Sequence, residues 1–476
     1  MADVKLEGSF VGGRVQTLWS RLSRQTTGRR RWILYILEFG LLGVALAMTQ
    51  VLAVKLWLLG NGDVTEYVHY AQEFWLGSPP FHALPVEYPP LAIVPFSLTL
   101  LPPLPDYHTV FAVWMGALVI LGYIGFLKYA GRARAMVYIG YLLAGTAATL
   151  IARFDIVPAL ATLLALWMTE RGKFGYAYVL IAVGILLKLY PGFLLPIVMI
   201  EHWKVATNAA ILRGEDTDEA ARSWWQGNPV AVARKLWQRP ATRLVVRGTS
   251  YCLLLVAFGF GVALAISPAG ALSGFMYAGN RPLQVESTPA TLLWLGTLFG
   301  IPANPNYSFV SLNYVGPLDV MLKPLSAIAL AAGCLWVYWR HARGNLRVGQ
   351  AFVACLAVVI VANKIFSPQY LIWILPLVAY VDGFDVMWLA IAVLTWLDFP
   401  IVYQMRHPIW TVPYSWQFMP LLAVRNGLLL WATVRAIIRP RSRVLHVTRA
   451  EVPEEMVTGQ RAEETEHAPT VNVFAG

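Results

Sequence analysis

A set of ionisable side chains lies in or beside apolar runs of this sequence. Its members are Lys55, Asp63, Arg153, Asp155, Lys188, Arg281, Glu286, Lys323, Lys364, Asp398, Arg406 and Arg425. A charge near the middle of a bilayer costs about 2.5–3.5 kcal/mol on insertion scales, so such residues must pair or line a polar cavity. For any one of them, snorkelling or a structural ion pair is the alternative to ligand binding. As a set, cations beside apolar walls predict one outward-facing pocket for an anionic, partly lipidic ligand.

Asp63 stands where the first apolar run gives way to a polar segment. It comes soon after Leu59, the last residue of that run, and no Lys or Arg occurs between residues 60 and 105. A carboxylate at the mouth of a pocket can take the proton of a substrate hydroxyl, which is worth about 10²–10⁴ in rate. The alternative is structural, because an Asp before a helix can cap its first N–H groups. The local sequence leaves both interpretations open.

The segment after Asp63 predicts an amphipathic helix that lies in the membrane interface. Its aromatic residues Tyr67, Tyr70 and Phe74 recur every three to four positions, as on one face of a helix. A Gly and two prolines then end the helix, and residues 87–91 begin a second, mostly apolar piece.

Four further stretches join a cation or an amide to a proline turn at membrane depth. They are residues 153–158, 187–191, 280–287 and 363–373. The third stretch precedes a short apolar piece, 290–299, which could be re-entrant. These turns are the elements that must bring the cations to the pocket.

The composition predicts that the chain that carries these residues is a membrane protein. The chain has 476 residues, 58% of them hydrophobic and 13% charged, whereas about 25% are charged in soluble domains. Repeated apolar runs predict an all-α polytopic membrane protein with about twelve transmembrane helices. The predicted spans are 32–59, 108–127, 135–152, 156–169, 174–188, 191–203, 248–268, 317–339, 348–363, 368–381, 386–399 and 417–437.

The distribution of Lys and Arg predicts the topology. Most of the 37 basic residues fall in segments on one side of the predicted spans, and such a bias marks the cytoplasmic side. Both termini are then cytoplasmic, and the net charge of +11 reflects topology rather than nucleic-acid binding. The predicted organisation comprises a basic N-terminus (1–31), a transmembrane domain (32–437) and a disordered cytoplasmic tail (438–476). Within that domain lie a first outer loop (60–105), a cytoplasmic loop (204–247) and another outer loop (269–316).

These stretches, in this order, resemble glycosyltransferase family 87, in the C superfamily of polyprenyl-phosphate-sugar-dependent enzymes. The resemblance covers roughly residues 32–435. The residues that carry it are Gly62-Asp63, Glu87-Tyr88-Pro89-Pro90-Leu91, Arg153-Phe154-Asp155, Lys188-Leu189-Tyr190-Pro191, Arg281 to Ser287 and Ser367-Pro368-Gln369-Tyr370.

The resemblance implies an inverting transferase that takes a sugar, usually mannose, from a polyprenyl-phosphate carrier on the non-cytoplasmic side. It implies that Asp63 is the general base. The residues expected to hold the donor phosphate are Lys364, Arg281 and Lys188. The residues expected around the sugar and the acceptor are Glu66, Tyr67, His69, Tyr88, Arg153, Asp155, Gln284, Glu286, Gln369, Tyr370 and Trp373. His69 could also play a second acid–base role.

The expected partners are the lipid-linked donor, a glycolipid or lipid-linked glycan acceptor, and the bilayer of the plasma (inner) membrane. We expect a monomer. In transfer from a lipid-linked donor, the leaving group is a polyprenyl phosphate and contains no nucleotide. We therefore expect that no metal or other cofactor is obligatory. The Asp216-Thr217-Asp218 pattern resembles the metal site of nucleotide-sugar transferases, but it lies in a solvated acidic run on the predicted cytoplasmic side.

Two alternatives remain at this point. One is the same fold with an arabinofuranosyl or glucosyl donor. The other is a transporter or flippase of lipid-linked sugars, which would share the spans and the charged cavity. A transporter should show related halves or paired broken helices near mid-bilayer, and the sequence shows no such repeat.

Overall fold

The computed structural model describes residues 37–49, 51, 63–78, 81, 84–85, 87–213, 238–402 and 418–439. These residues are mostly helical. The first half contains α1 (Leu37–Thr49), α2 (Asp63–Leu76), α3 (Ile93–Ser97), α4 (Tyr107–Tyr129), α5 (Arg132–Thr146), α6 (Ile156–Glu170), α7 (Phe174–Leu187) and α8 (Leu195–Leu212). The second half contains α9 (Pro240–Ile266), α10 (Pro268–Asn280), α11 (Thr288–Thr297), α12 (Asp319–Ala342), α13 (Val348–Ala362), α14 (Leu371–Val381), α15 (Val386–Trp396) and α16 (Phe418–Ile438).

Several short helical segments of other types adjoin these α-helices. 3₁₀ segments run over Pro90–Ala92, Leu98–Leu100, Tyr190–Leu194 and Pro368–Tyr370, and a π segment, Leu397–Val402, follows α15. Each predicted span therefore contains helix. In the described part of the chain, four helices are long and apolar enough to cross a membrane alone, namely α4, α9, α12 and α16. The chain is thus helical and membrane-type as predicted, and the number of twelve spans stays a prediction.

Helix α13 forms the centre of the bundle. Every residue of it except Gln350 is buried, which follows from its being apolar on all sides. It packs against α6, α12, α14 and α16. The helices around α13 begin and end at two opposite sides of the bundle. At one end, ion pairs join Arg435 to Asp385 and Arg439 to Asp382.

The opposite end carries the turns that the sequence predicts to form the pocket. Helix α2 packs there against α3 and α4 through a face that includes Tyr67, Ala71 and Phe74. The Tyr67 ring stacks on Phe96 with 4.1 Å between centroids. The predicted amphipathic helix is therefore confirmed, with its aromatic face turned into the protein.

A small sheet corrects the all-α prediction. Strands β1 (Leu283–Gln284), β2 (Asn304–Ser308) and β3 (Ser311–Val315) pair antiparallel in the order β1-β3-β2. The apolar piece after β1 is α11, a ten-residue helix. The prediction missed the strands because they are short and lack alternating patterning long enough to stand out against the surrounding helices.

Candidate functional site

Asp63 forms an ion pair with Arg153. Asp63 is the first residue of α2, and Arg153 lies in the turn between α5 and α6. The Asp63 side chain is 30% exposed and the Arg153 side chain 11%. The structure thus brings Arg153 to Asp63, whereas Lys55 lies outside the described residues.

The structural alternative for Asp63 also keeps some support. A carboxylate in the first turn of a helix interacts favourably with the helix dipole, by about 0.3–1 kcal/mol at a surface. Asp63 and Glu66 both occupy the first turn of α2. The side chain of Asp63 can therefore stabilise the start of α2 and still face Arg153.

Asp155 lies two residues beyond Arg153 and holds Lys188. Its Oδ1 atom accepts a hydrogen bond from Lys188 Nζ at 2.6 Å and another from Trp373 Nε1 at 2.5 Å. Lys188 follows the last residue of α7 and has an extended backbone, with φ −160° and ψ 136°. The turn at 187–191 and the turn at 153–158 thus meet through one carboxylate.

Aromatic rings surround the Lys188 ammonium. Its Nζ atom lies 4.9 Å from the ring centre of Phe154 and 5.0 Å from that of Trp373. The corresponding distances are 5.7 Å for Tyr88 and 5.8 Å for Tyr370. Such contacts with a partly desolvated cation are worth about 0.5–2 kcal/mol each. Lys188 is therefore held by one carboxylate and four rings.

The same rings form a continuous aromatic wall. Tyr370 stacks on Trp373 with 3.9 Å between centroids, and Tyr190 stacks on the same Trp373 ring at 4.3 Å. Tyr88 is partly exposed and packs edge-on against Phe154. The wall includes the predicted sugar contacts Tyr88, Tyr370 and Trp373. Of these, Tyr88 and Tyr370 are partly exposed, whereas Trp373 supports Tyr370 from behind at 4% exposure and Tyr67 is 1% exposed in the core.

A second polar cluster surrounds the loop before α11. Glu286 is buried, and its Oε2 atom accepts a hydrogen bond from Gln284 Nε2 at 3.3 Å. Arg425 is fully buried, pairs with Asp398 at 3.0 Å and donates to the backbone oxygen of Glu286. Asn426 Nδ2 also donates to that oxygen, at 3.2 Å. The Arg425 charge is therefore used within the protein and not offered to a ligand.

Arg153 lies between the two clusters. It is within electrostatic range of Asp155 on one side and of Glu286 on the other. Burial and the nearby Asp398 carboxylate raise the pKa of Glu286 well above the usual value for a glutamate. The predicted convergence of charged residues from distant parts of the chain is thus seen for Asp63, Arg153, Asp155 and Glu286.

A third cluster contains only cations. Lys323 and Arg281 both lie within electrostatic range of Lys364, and burial together with these two neighbours lowers the pKa of Lys364. Lys364 Nζ donates to the Gly279 carbonyl at 2.8 Å. Among the described residues, no carboxylate forms an ion pair with Lys364 or Arg281, while Lys323 lies 3.9 Å from Asp319. Glu87 and Glu286 lie within electrostatic range of Arg281, but neither forms an ion pair with it, so the cluster can still accept an anion.

An apolar groove of about 470 Å³ runs along α10 towards this cation cluster. It is lined by Pro268, Ala269, Leu272, Ser273, Met276, Tyr277 and Asn280. Met276 is 65% exposed, so the groove is open at the surface. Arg281 directly follows the groove and lies 5.8 Å from the ring centre of Tyr277. An apolar chain and an attached anion could therefore bind side by side here.

Glu87 is a site residue that the sequence interpretation did not assign. Its carboxylate is within hydrogen-bonding reach of Tyr277 and within electrostatic range of Arg281 and Lys188. Burial raises the pKa of Glu87 above its ordinary value. The available signal was an acid beside Tyr88 in the 87–91 segment, but no cation lies close to Glu87 in the sequence.

Three of the residues predicted around the sugar and the acceptor contact neighbours other than the clustered cations. His69 is exposed and pairs with Glu73 on α2, with 3.0 Å between Nε2 and Oε1. Glu66 is exposed on the same helix, close enough to Glu87 for repulsion. Gln369 accepts a hydrogen bond from Ser367 within its own turn.

Two other elements of the prediction lie outside the described residues, namely Arg406 and the Asp216-Thr217-Asp218 pattern.

The model of glycosyltransferase family 87 matches residues 87–213 of the chain. This region begins at Glu87 and includes Arg153, Asp155 and Lys188. The family resemblance is therefore confirmed over these residues, and the family implies a membrane glycosyltransferase. No curated protein and no solved structure matches the chain.

Proposed function

We propose that this membrane protein is an inverting glycosyltransferase that moves a mannosyl residue from a polyprenyl-phosphate carrier to a glycolipid or lipid-linked glycan. In this proposal Asp63 is the general base, and the site faces the non-cytoplasmic side of the plasma membrane. The family match at residues 87–213 supports the class of reaction. The bias of Lys and Arg towards the other end of the bundle supports the orientation.

The observation that carries the proposal is the ion pair between Asp63 and Arg153. It fixes a partly exposed carboxylate beside the turn that also carries Asp155. The aromatic wall formed by Tyr88, Tyr370 and Trp373 borders the same turn. A sugar packed on this wall would be near a charged base, which is the arrangement that proton removal from a hydroxyl requires.

The proposed step makes one bond and breaks one bond. Asp63 takes the proton of the acceptor hydroxyl while that oxygen bonds to the anomeric carbon of the donor sugar. The bond between this carbon and the phosphate oxygen breaks, and the polyprenyl phosphate leaves with the electron pair. Attack opposite to the leaving phosphate inverts the configuration. Cations that face the phosphate stabilise the negative charge that develops on it.

The cation cluster is the proposed position of the donor phosphate. Lys364 and Arg281 have no ion-pair partner among the described carboxylates, so a phosphate would supply the missing anion. Lys323 joins them as a further candidate, because it lies within electrostatic range of Lys364. Lys188, the third predicted contact, is already paired with Asp155. We therefore place Lys188 at the sugar and the other cations at the phosphate.

The groove on α10 is the proposed path of the prenyl chain. Its open, apolar lining suits a hydrocarbon, which gains about 25 cal/mol for each Å² of apolar surface removed from water. Leu272 and Met276 line the groove, and Arg281 begins the loop after it. A lipid lying in this groove would bring its phosphate to Arg281 and Lys364.

The test uses the purified full-length protein in lipid nanodiscs. It is incubated with radiolabelled polyprenyl-phosphate-mannose and a membrane lipid extract, and the product is isolated and identified. We expect a new glycolipid whose anomeric configuration is opposite to that of the donor. Parallel incubations with arabinofuranosyl and glucosyl donors establish the sugar. Failure of transfer from all three donors would refute the proposal, and movement of intact donor between leaflets without a new glycosidic bond would instead support a transporter.

A further inference from the structure

A second groove lies at the end of the bundle opposite to the candidate site. It has a volume of about 870 Å³ and runs between the first turns of α7 and the middle of α9. Its walls are apolar and aromatic, with Tyr176, Tyr251 and Phe258 all more than half exposed. Helix α9 is long enough to span a bilayer, yet only 11% of its most apolar stretch is buried in the protein. The groove therefore opens towards the surrounding lipid.

One cation lines the polar end of this groove, and a second lies next to it on α9, beside the lining residues Gly248 and Tyr251. Lys173 lies immediately before α7 and is exposed. Arg247 is exposed on α9, donates through Nε to Tyr251 Oη at 3.2 Å, and lies 5.6 Å from the centre of that ring. Within the part of the chain that the structure describes, neither cation forms an ion pair with a carboxylate. The polar end of the groove is thus positively charged.

A close helix crossing forms the floor of the groove. A Cβ atom added to Gly248 would come within 2.2 Å of the Tyr178 ring, so α9 and α7 can approach this closely only because residue 248 is a glycine. Beside the crossing, a Cβ atom added to Gly175 would meet no other atom within 4 Å. The crossing keeps the two helices together while the space beside Gly175 stays open.

We propose that this groove binds one anionic phospholipid. Its phosphate lies between Lys173 and Arg247, and an acyl chain lies against Tyr176, Leu254 and Phe258. The two cations determine which headgroup charge the groove favours. A zwitterionic headgroup carries the same phosphate but adds a positive charge that Lys173 and Arg247 repel, whereas an anionic headgroup does not. The inference is independent of the glycosyltransferase proposal, because it uses none of the residues of the candidate site.

The experiment is native mass spectrometry of the full-length protein with defined lipids. Purified protein is titrated with a phosphatidylglycerol and, separately, with a phosphatidylcholine that has the same acyl chains. We expect one phosphatidylglycerol to be retained and phosphatidylcholine to be retained much more weakly. A Lys173→Gln/Arg247→Gln variant should bind phosphatidylglycerol about 30-fold more weakly, at about fivefold for each cation near a membrane surface.

Two matched control variants distinguish a specific lipid-binding site from nonspecific association with lipid. Arg343→Gln also removes an Arg that lies over an aromatic ring, with 5.6 Å to Trp339. Trp339 does not line the groove, whereas Tyr251, the ring partner of Arg247, does, so lipid retention should not change. Gly175→Phe should fill the groove and reduce retention. Gly140→Phe, also placed in open space, should not.

Equal retention of the two lipids, or equal losses in the variants and their controls, would overturn the proposal. Retention of no lipid by the wild type would also overturn it.

Discussion

The Lys188 ammonium lies 2.6 Å from Asp155 Oδ1 and is surrounded by the rings of Tyr88, Phe154, Tyr370 and Trp373. The two side chains are 14% and 1% exposed. The pair connects the turn before α6 to the end of α7, and its carboxylate also accepts from Trp373 on α14. A pair so well enclosed has a structural role whether or not it also contacts a substrate.

The first prediction concerns the stability of this pair. Lys188→Met leaves the Asp155 charge buried without its cation, and removing one partner of a buried pair costs about 3–5 kcal/mol. Adding Asp155→Asn removes that charge and keeps an acceptor for Trp373, so the double variant should be more stable than Lys188→Met alone. Thermal unfolding in detergent measures the effect. Additive losses in a double-mutant cycle would show that the two residues are not coupled.

The second prediction concerns the donor phosphate. Lys364→Met keeps most of the side-chain length and removes the charge, so donor affinity should fall by about 1.5–3 kcal/mol, the range for a hydrogen bond to a charged group. Titration with a polyprenyl-phosphate sugar measures it. Lys128→Met, which removes an exposed lysine from the last turn of α4 at the other end of the bundle, is the matched control and should leave affinity unchanged. Equal affinities for the two variants would remove Lys364 from the proposed site.

The third prediction concerns pH. Burial raises the pKa of Glu87 in the folded protein, so between the unfolded and folded pKa values the folded state binds more protons. Stability then falls as pH rises through this window, starting near the ordinary glutamate pKa. Glu87→Gln removes the titration, so the wild type should lose stability relative to this variant as pH rises from 4 towards the folded pKa. Unfolding temperatures of both proteins across this range provide the test, and a constant difference would contradict the prediction.

The positions of most helices could be predicted from the sequence, although α8 ends at Leu212 rather than at 203, α9 begins at Pro240 rather than at 248, and α10 lies in a predicted loop. The predicted span 156–169 is the helix Ile156–Glu170, and the predicted span 317–339 is the helix Asp319–Ala342. Such segments are identifiable because a membrane helix must be apolar over a long continuous run. The turns at 153–158 and 187–191 were also predictable, since proline and charged residues interrupt those runs.

The partners of the site residues were not predictable, because pairing depends on how distant helix ends meet. Asp155 and Trp373 are 218 positions apart, and Arg425 reaches the Glu286 carbonyl across 139 positions. The roles of Glu87 and Arg425 followed only from these contacts. The sheet was missed for another reason, since its hairpin turn contains Phe309-Val310 where such turns favour Asn-Gly.

That turn gives the fourth prediction. Phe309 and Val310 have φ of 54° and 50°, a conformation that costs about 1–3 kcal/mol for residues other than glycine. Phe309 packs against Tyr277 and accepts a hydrogen bond from its hydroxyl at 2.6 Å, but Val310 is 76% exposed. Val310→Asn should therefore stabilise the protein by about 1 kcal/mol, because Asn tolerates this conformation. Thermal unfolding measures it, with Val320→Asn, an equally exposed change in helix α12, as the control. A larger gain at Val320 would be inconsistent with strain in the turn.

The last prediction separates the two interpretations of Asp63. Asp63→Asn keeps the shape of the side chain and a hydrogen-bond acceptor at the start of α2, but it cannot accept a proton from a hydroxyl. If Asp63 is the general base, transfer should fall by about two to four orders of magnitude, while donor binding and folding stay close to normal. Arg153 loses the ion pair with Asp63 in this variant, but Asp155 and Glu286 remain within electrostatic range of it.

If Asp63 only stabilises the helix, the variant should lose no more than about 1 kcal/mol of stability and keep near-normal turnover. Asp106→Asn is the matched control, because Asp106 is an exposed residue that accepts from Thr109 at the start of α4, with 3.2 Å to the backbone nitrogen. Transfer rate, donor affinity and unfolding temperature are measured on both variants. Because Asp106 also stands at the start of a helix but forms no ion pair with Arg153, a loss of transfer confined to Asp63→Asn identifies the base, and substantial transfer by that variant would end the assignment.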